Sequence, residues 1–110
     1  MGGFYRIKYQ GTGGKGDGAI ALANNKVAGL DVGDGIYRGT YAEEGGRFKG
    51  TAVLSFASGG DLVTGMRVPP GTEIPIPFDI PAGSSSDSHT VSVNVAGHKV
   101  EVTLTRIADL

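Results

Sequence analysis

Apolar and polar residues alternate along most of the chain, and this period of two predicts β-strands with one buried face. Segment 47–57 shows the pattern most clearly. One of its faces carries Phe48, Gly50, Ala52, Leu54 and Phe56. The opposite face is mainly polar, so we predict a half-buried strand that places its aromatic and aliphatic side chains in a core.

The same alternation predicts strands in five other segments and a hairpin at the end of the chain. The strands are 3–10, 17–25, 26–33, 35–44 and 73–81, and the hairpin is 89–107. Asn24 and Asn25 suit a tight turn because asparagine tolerates positive φ, and Ala-Gly at 96 and 97 makes the terminal turn. Segment 73–81 contains three prolines, which cannot donate to a ladder, so it is predicted to be an edge strand or an extended cover.

No segment shows the 3.6-residue period of a helix, and the predicted strands follow each other at intervals of about 8–12 residues. We therefore predict an all-β fold, an eight-stranded antiparallel up-and-down barrel that forms a single domain over residues 1–110. Segment 58–72 is predicted to be a long connection with room for one short helical turn. Segment 81–88 is predicted to be a polar loop.

Composition narrows the class of protein. The net charge is −1, which argues against direct nucleic-acid binding because that needs a basic face. There are no cysteines, no apolar run long enough for a membrane helix and no signal-peptide pattern at the start. These features predict a cytoplasmic protein with no membrane association.

The stretch GTGGKG at residues 11–16 has the spacing of a dinucleotide-binding loop. That loop must lie between a strand and a helix whose N-terminus faces the phosphates. Here the following segment is predicted to be another strand, so we interpret the stretch as a glycine-rich hairpin turn and expect no cofactor.

Other candidate chemistry is sparse. His89 and His98 could approach each other at opposite strand ends, but two imidazoles do not form a zinc site. Asp31 and Asp34 lack the spacing of a calcium loop, and the Ser, Asp and His of segment 83–89 are too close in sequence for a catalytic triad. We expect no metal site and no enzyme activity.

The first half of the chain carries an ordered set of residues that resembles one family. The set is Gly3, Tyr5, Gly18, Ile20, Leu22, Asn24, Gly29, Asp31, Tyr37, Gly39 and Tyr41. It is similar to the GrlR family, negative regulators of a type III secretion regulon. The resemblance implies a lipocalin-like barrel, a homodimer and a non-enzymatic role in silencing a DNA-binding transcription activator.

The founding regulator of that family is understood to use an exposed Glu-Asp-Glu-Asp motif for this contact, and the corresponding place here holds only Glu43 and Glu44. The first hypothesis is therefore a regulatory or adaptor barrel that binds a protein partner through Glu43 and Glu44.

The alternative hypothesis is a carrier or sensor of a small apolar ligand in the barrel lumen. Small inward residues (Gly39, Gly50, Ala19 and Ala52 are the candidates) could leave such a lumen. The predicted ligand-binding residues are Phe48, Ala52, Leu54 and Phe56.

Overall fold

The computed structural model describes residues 2–82 and 88–110, and it confirms the all-β prediction. Those residues form ten strands and contain no helix, so they hold no helix that could span a membrane. The strands are β1 (Gly3–Gly11), β2 (Gly14–Ala23), β3 (Lys26–Asp31), β4 (Gly35–Glu44), β5 (Arg47–Phe56), β6 (Gly60–Asp61), β7 (Arg67–Val68), β8 (Glu73–Pro81), β9 (Ser88–Val95) and β10 (His98–Asp109).

Eight of these strands form one antiparallel sheet in the order β8-β5-β4-β3-β2-β1-β10-β9. Except for the excursion between β5 and β8 and the long-range pairing of β1 with β10, each strand pairs with its neighbour in sequence. The sheet curls until its two edge strands, β8 and β9, lie side by side, so the fold is a nearly closed up-and-down barrel.

Tight turns set the register of the hairpins. Both central residues have positive φ in the turns at Asn24–Asn25, Gly45–Gly46 and Ala96–Gly97. This is the conformation that matches the twist of paired strands, and glycine and asparagine adopt it with little strain. The predicted turns at 24–25 and 96–97 are therefore confirmed.

Prolines explain why the barrel does not close with a ladder between β8 and β9. Pro75 and Pro77 lie opposite Val53 and Thr51 of β5, and the ladder between those strands continues past them. A proline inside an antiparallel ladder must sit where its nitrogen points away from the partner strand. The nitrogens of Pro75 and Pro77 therefore point toward β9 and offer it no N–H. The edge position predicted for segment 73–81 is confirmed.

The connection 57–72, which we call the strap, differs from the prediction of a helical turn. It forms a small hairpin in which Gly60 pairs with Val68 and Asp61 with Arg67. Gly65 at its tip has a φ of 91°, which a right-handed helical turn does not allow. Leu62 and Val68 are both buried and hold the strap against the barrel.

The up-and-down order gives the barrel two distinct ends. The upper end carries the turns at 12–13, 32–34 and 96–97 together with the strap. The lower end carries the turns at 24–25 and 45–46, and it also carries Gly2 and Leu110, whose backbones hydrogen-bond to each other beside the pair Gly3 and Asp109. The predicted polar loop over 81–88 falls mainly on residues 83–87, which lie outside the described residues.

Candidate ligand-binding site

The barrel lumen holds a partly open cavity of about 130 Å³, whose wall extends from Val27 and Ile80 in the lower half to Asp31 and the strap at the upper end. Side chains from all eight strands of the large sheet form its wall, and Leu62 and Val63 of the strap contribute to its upper end. The wall is mainly aliphatic and aromatic. An engineered apolar cavity of about 150 Å³ in another protein stays dry and binds benzene, so this cavity has the size of one aromatic ring.

Small residues in the wall account for part of this space. Gly39 and Ala52 are directly opposite each other on β4 and β5, between Val27 on one side and Ile76 on the other. Gly39 and Ala52 are too small to fill the lumen where they face it, as the sequence predicted. Ala19, also expected to point inward, lies opposite Arg6 on the outer face, because Ile20 and Leu22 occupy the inward positions of β2.

The lower end of the barrel is closed by packed side chains. Phe48 is 1% exposed, and its ring meets that of Tyr41 edge to face with centroids 5.2 Å apart. Beside them, the Arg106 guanidinium lies over the Tyr5 ring, 5.1 Å from its centroid, and donates to the Tyr5 hydroxyl at 2.8 Å. Arg106 also donates to Asp109 at the surface. This floor separates the cavity from the lower turns.

The four predicted lumen residues divide between the cavity and its floor. Ala52, Leu54 and Phe56 line the cavity. Phe48 belongs to the same inward face of β5 but lies below the cavity, in the packed floor. Alternation along the strand correctly predicts which face points inward, but it carries no information about the height at which the lumen is open.

A polar pair lies at the upper rim of the cavity. The Tyr37 hydroxyl donates to Asp31 Oδ2 at 3.0 Å, and the backbone N–H of Gly33 donates to Asp31 Oδ1 at 2.7 Å. Asp31, Gly33 and Tyr37 all line the cavity. Burial raises the pKa of the Tyr37 phenol far above its usual range, and the charge of Asp31 and the hydrogen bond to it raise it further. The phenol therefore stays protonated and acts as a donor at neutral pH.

The backbone of the GTGGKG stretch makes close contacts with the strap and with Tyr9 at the upper end of the cavity. The Gly13 N–H donates to the Val63 carbonyl of the strap at 2.6 Å. A Cβ on Gly13 would lie 2.4 Å from the Gly65 nitrogen, and a Cβ on Gly16 would lie 2.2 Å from the Tyr9 ring. Glycine is needed at position 13 because the strap backbone takes up the space of a side chain, whereas a side chain at position 16 would require the Tyr9 ring to move. The prediction that a strand follows is confirmed, since β2 begins at Gly14.

The acidic pair predicted to bind a partner is remote from the cavity. Glu43 and Glu44 end β4 at the lower end of the barrel, and both are exposed. Glu44 lies opposite Arg47, whose guanidinium donates to Asp79 of β8. The protein-binding role of this hairpin tip stays a prediction.

Part of the outer surface near the upper end is apolar. Leu30 is 65% exposed and Val32 is 75% exposed. Leu30 lies between Ala19 on β2 and Ile36 on β4, so the outer face of these strands is apolar across the three-strand width. The homodimer implied by the family resemblance stays a prediction.

The histidines do not meet. His98 lies opposite Val95 beside the upper turn, whereas His89 lies opposite Leu104 toward the lower end. Six residues of β10 separate these positions, a span of about 20 Å in an extended strand. The hypothesis that strand ends bring the two imidazoles together is therefore wrong. Residues 2–82 and 88–110 contain no group of three metal-ligating side chains.

Sequence reasoning missed the roles of Asp31 and the strap. Asp31 was considered only as a calcium ligand, although it is four residues after Val27 on the same, inward face of β3. That spacing was the available signal. No local pattern predicts that Leu62 and Val68 would anchor the strap, because their contacts depend on the closed barrel. Comparison with models of known protein families and with curated protein sequences finds no match.

Proposed function

We propose that this protein binds a small apolar ligand, about the size of one aromatic ring, in the upper lumen of its barrel. The observation that supports the proposal is the cavity of about 130 Å³ with a wall of aliphatic and aromatic side chains. Concave, mainly apolar sites with a few polar groups are the usual form of small-molecule sites.

The exposure of the wall supports the same function. Several inward side chains around the cavity are only partly buried, in contrast to those of the floor. They are Tyr9, Ile20, Ile76, Phe78, Val91, Val93 and Val102. Each square ångström of apolar surface removed from water contributes about 25 cal/mol, so a ligand that covers these side chains gains free energy that the empty barrel lacks.

The matching experiment follows the methyl resonances of the cavity wall during titration with benzyl alcohol, a neutral ligand of one ring. We expect saturable shifts at valine and isoleucine methyls of β8, β9 and β10. Val93→Phe should abolish them, because Val93 lines the cavity and the added ring would occupy it.

Ser92→Phe is the control, since Ser92 is the exposed neighbour of Val93 on the outer face of β9 and adds the same ring outside the lumen. This variant should bind like the wild type. Shifts that persist in the folded Val93→Phe protein, or the absence of saturable shifts in the wild type, would contradict the proposal.

A further inference from the structure

The cavity carries a negative charge at its rim that the apolar wall does not explain. Asp31 occupies an inward position at the end of β3 and lines the cavity. Its Cβ lies against Gly35, where an added Cβ would be 3.1 Å from it and 2.9 Å from Leu54 Cδ1. The carboxylate is therefore held where the aliphatic wall meets the upper turns.

Neutral donors alone contact this carboxylate within the described part of the chain. Tyr37 donates to one oxygen and Gly33 to the other, and no lysine, arginine or histidine forms an ion pair with Asp31 there. An ionised carboxylate has about four acceptor positions. Two of them are occupied, so Asp31 retains capacity for further donors.

The rest of the described cavity wall does not balance the charge. No cationic side chain lines the cavity, and its second carboxylate is Asp61 of the strap. Asp61 accepts from Arg67 at 3.1 Å, but both side chains are almost three-quarters exposed, so that pair is screened by solvent. Asp31 is the charge that a ligand in the lumen would meet.

We propose that the ligand is a small apolar molecule with a cationic donor group, such as a primary ammonium, whose apolar body fills the lumen while the ammonium donates to Asp31. This inference rests on the proposed function and adds the chemical class of the ligand. A charge-assisted hydrogen bond from an ammonium to a carboxylate is stronger than one between neutral groups. A ligand with its own carboxylate would instead place two like charges at the rim.

Three ligands with the same ring and different head groups test the inference: benzylammonium, benzyl alcohol and benzoate. Titrations of the wild type, followed by the lumen methyl resonances and by calorimetry, should give the tightest binding for benzylammonium. Its affinity should exceed that of benzoate by about ten- to a hundredfold, the range expected for one hydrogen bond to a charged group.

Asp31→Asn should remove this preference, so that the variant binds benzylammonium no more tightly than benzyl alcohol. Asp34→Asn is the control, because Asp34 is exposed in the same turn and does not line the cavity. It should keep the wild-type ranking. The ranking of the three ligands on the wild type needs no variant, so the inference remains testable if Asp31→Asn does not fold.

The outcomes separate the two proposals. Equal affinities for the three ligands in the lumen, or a preference for benzoate, would overturn the ammonium inference and leave the apolar site standing. A preference for benzylammonium that persists in the folded Asp31→Asn protein would also overturn it. No lumen shift with any of the three ligands would overturn the proposed function itself.

Discussion

The floor and the lumen of this barrel are built from the same strands and the same alternation, yet the floor is packed and the lumen above it contains a cavity. At the lower end Leu22 and Phe48 are almost completely buried, and the Tyr41 ring packs on Phe48. Above the floor, Val91 and Val93 of β9 point inward and remain partly exposed to the lumen, and Val95 at the upper end of the strand is buried. Packed rings fill the floor of this narrow barrel, whereas the short valines of β9 leave part of the lumen above it unfilled.

Polar groups show the same contrast. At the floor, the side chain of Arg106 is 8% exposed and is matched by Tyr5, Asp109 and the Gly2 carbonyl. At the rim, the Asp31 carboxylate accepts hydrogen bonds from neutral donors and has acceptor positions left for others. The buried cation of the floor is therefore fully matched by its partners, whereas the carboxylate at the rim keeps free acceptor positions.

Truncating one aromatic side chain in the floor and one in the cavity wall should have the largest effect on this comparison. Phe48→Ala should lower the free energy of unfolding by about 3–5 kcal/mol, because it leaves a cavity in a packed region. Phe78→Ala should cost less than half as much. The Phe78 ring already faces the cavity and lacks packing partners on that side.

Urea denaturation of the two variants and the wild type measures both changes under the same conditions. Equal losses at the two positions would mean that the upper lumen is packed as tightly as the floor. That result would remove the difference between the two ends.

The attachment of the strap is the next feature to break. Gly13→Ala should lower the free energy of unfolding by about 1–3 kcal/mol, because the added methyl would meet the backbone of Gly65 and force the strap to move. Thr12→Ala, at the exposed neighbouring position, should change it by less than about 0.5 kcal/mol. Denaturation midpoints and hydrogen exchange of the Gly13 amide check both. A Gly13→Ala protein as stable as Thr12→Ala would show that the strap is not held there.

The sequence predicts the strands and turns of this barrel better than the position of its cavity. Alternation identifies the inward face of β5, and Asn24 and Asn25 identify their turn, because both signals are local. The height of the cavity and the docking of the strap depend on which residues meet across the closed barrel. Phe48 and Leu54 lie on the same, inward face of β5. Only the side chains that meet them from neighbouring strands place Phe48 in the floor and Leu54 in the cavity wall.

The smallest expected effect concerns the rim and depends on pH. Tyr37 has a raised pKa in the folded protein, first because it is buried and then because of Asp31, whereas an unfolded tyrosine titrates near 10. The contribution of protonated Tyr37 to the free energy of unfolding is therefore complete below about pH 10. Above that pH the free energy of unfolding falls by up to about 1.4 kcal/mol per pH unit. Tyr37→Phe should reduce this slope. Tyr5, whose pKa burial also raises, is present in both proteins, so the difference between the slopes isolates Tyr37.

Unfolding free energies at several values between pH 9 and 11.5 measure the two slopes. Identical slopes would mean that Tyr37 ionises as easily in the folded protein as in the unfolded chain, which its burial and its hydrogen bond to Asp31 both oppose. The rim would then be open to water, and Asp31 would be as well solvated as a surface carboxylate. A steeper fall in the wild type instead indicates a rim dry enough for the charge of Asp31 to select among ligands.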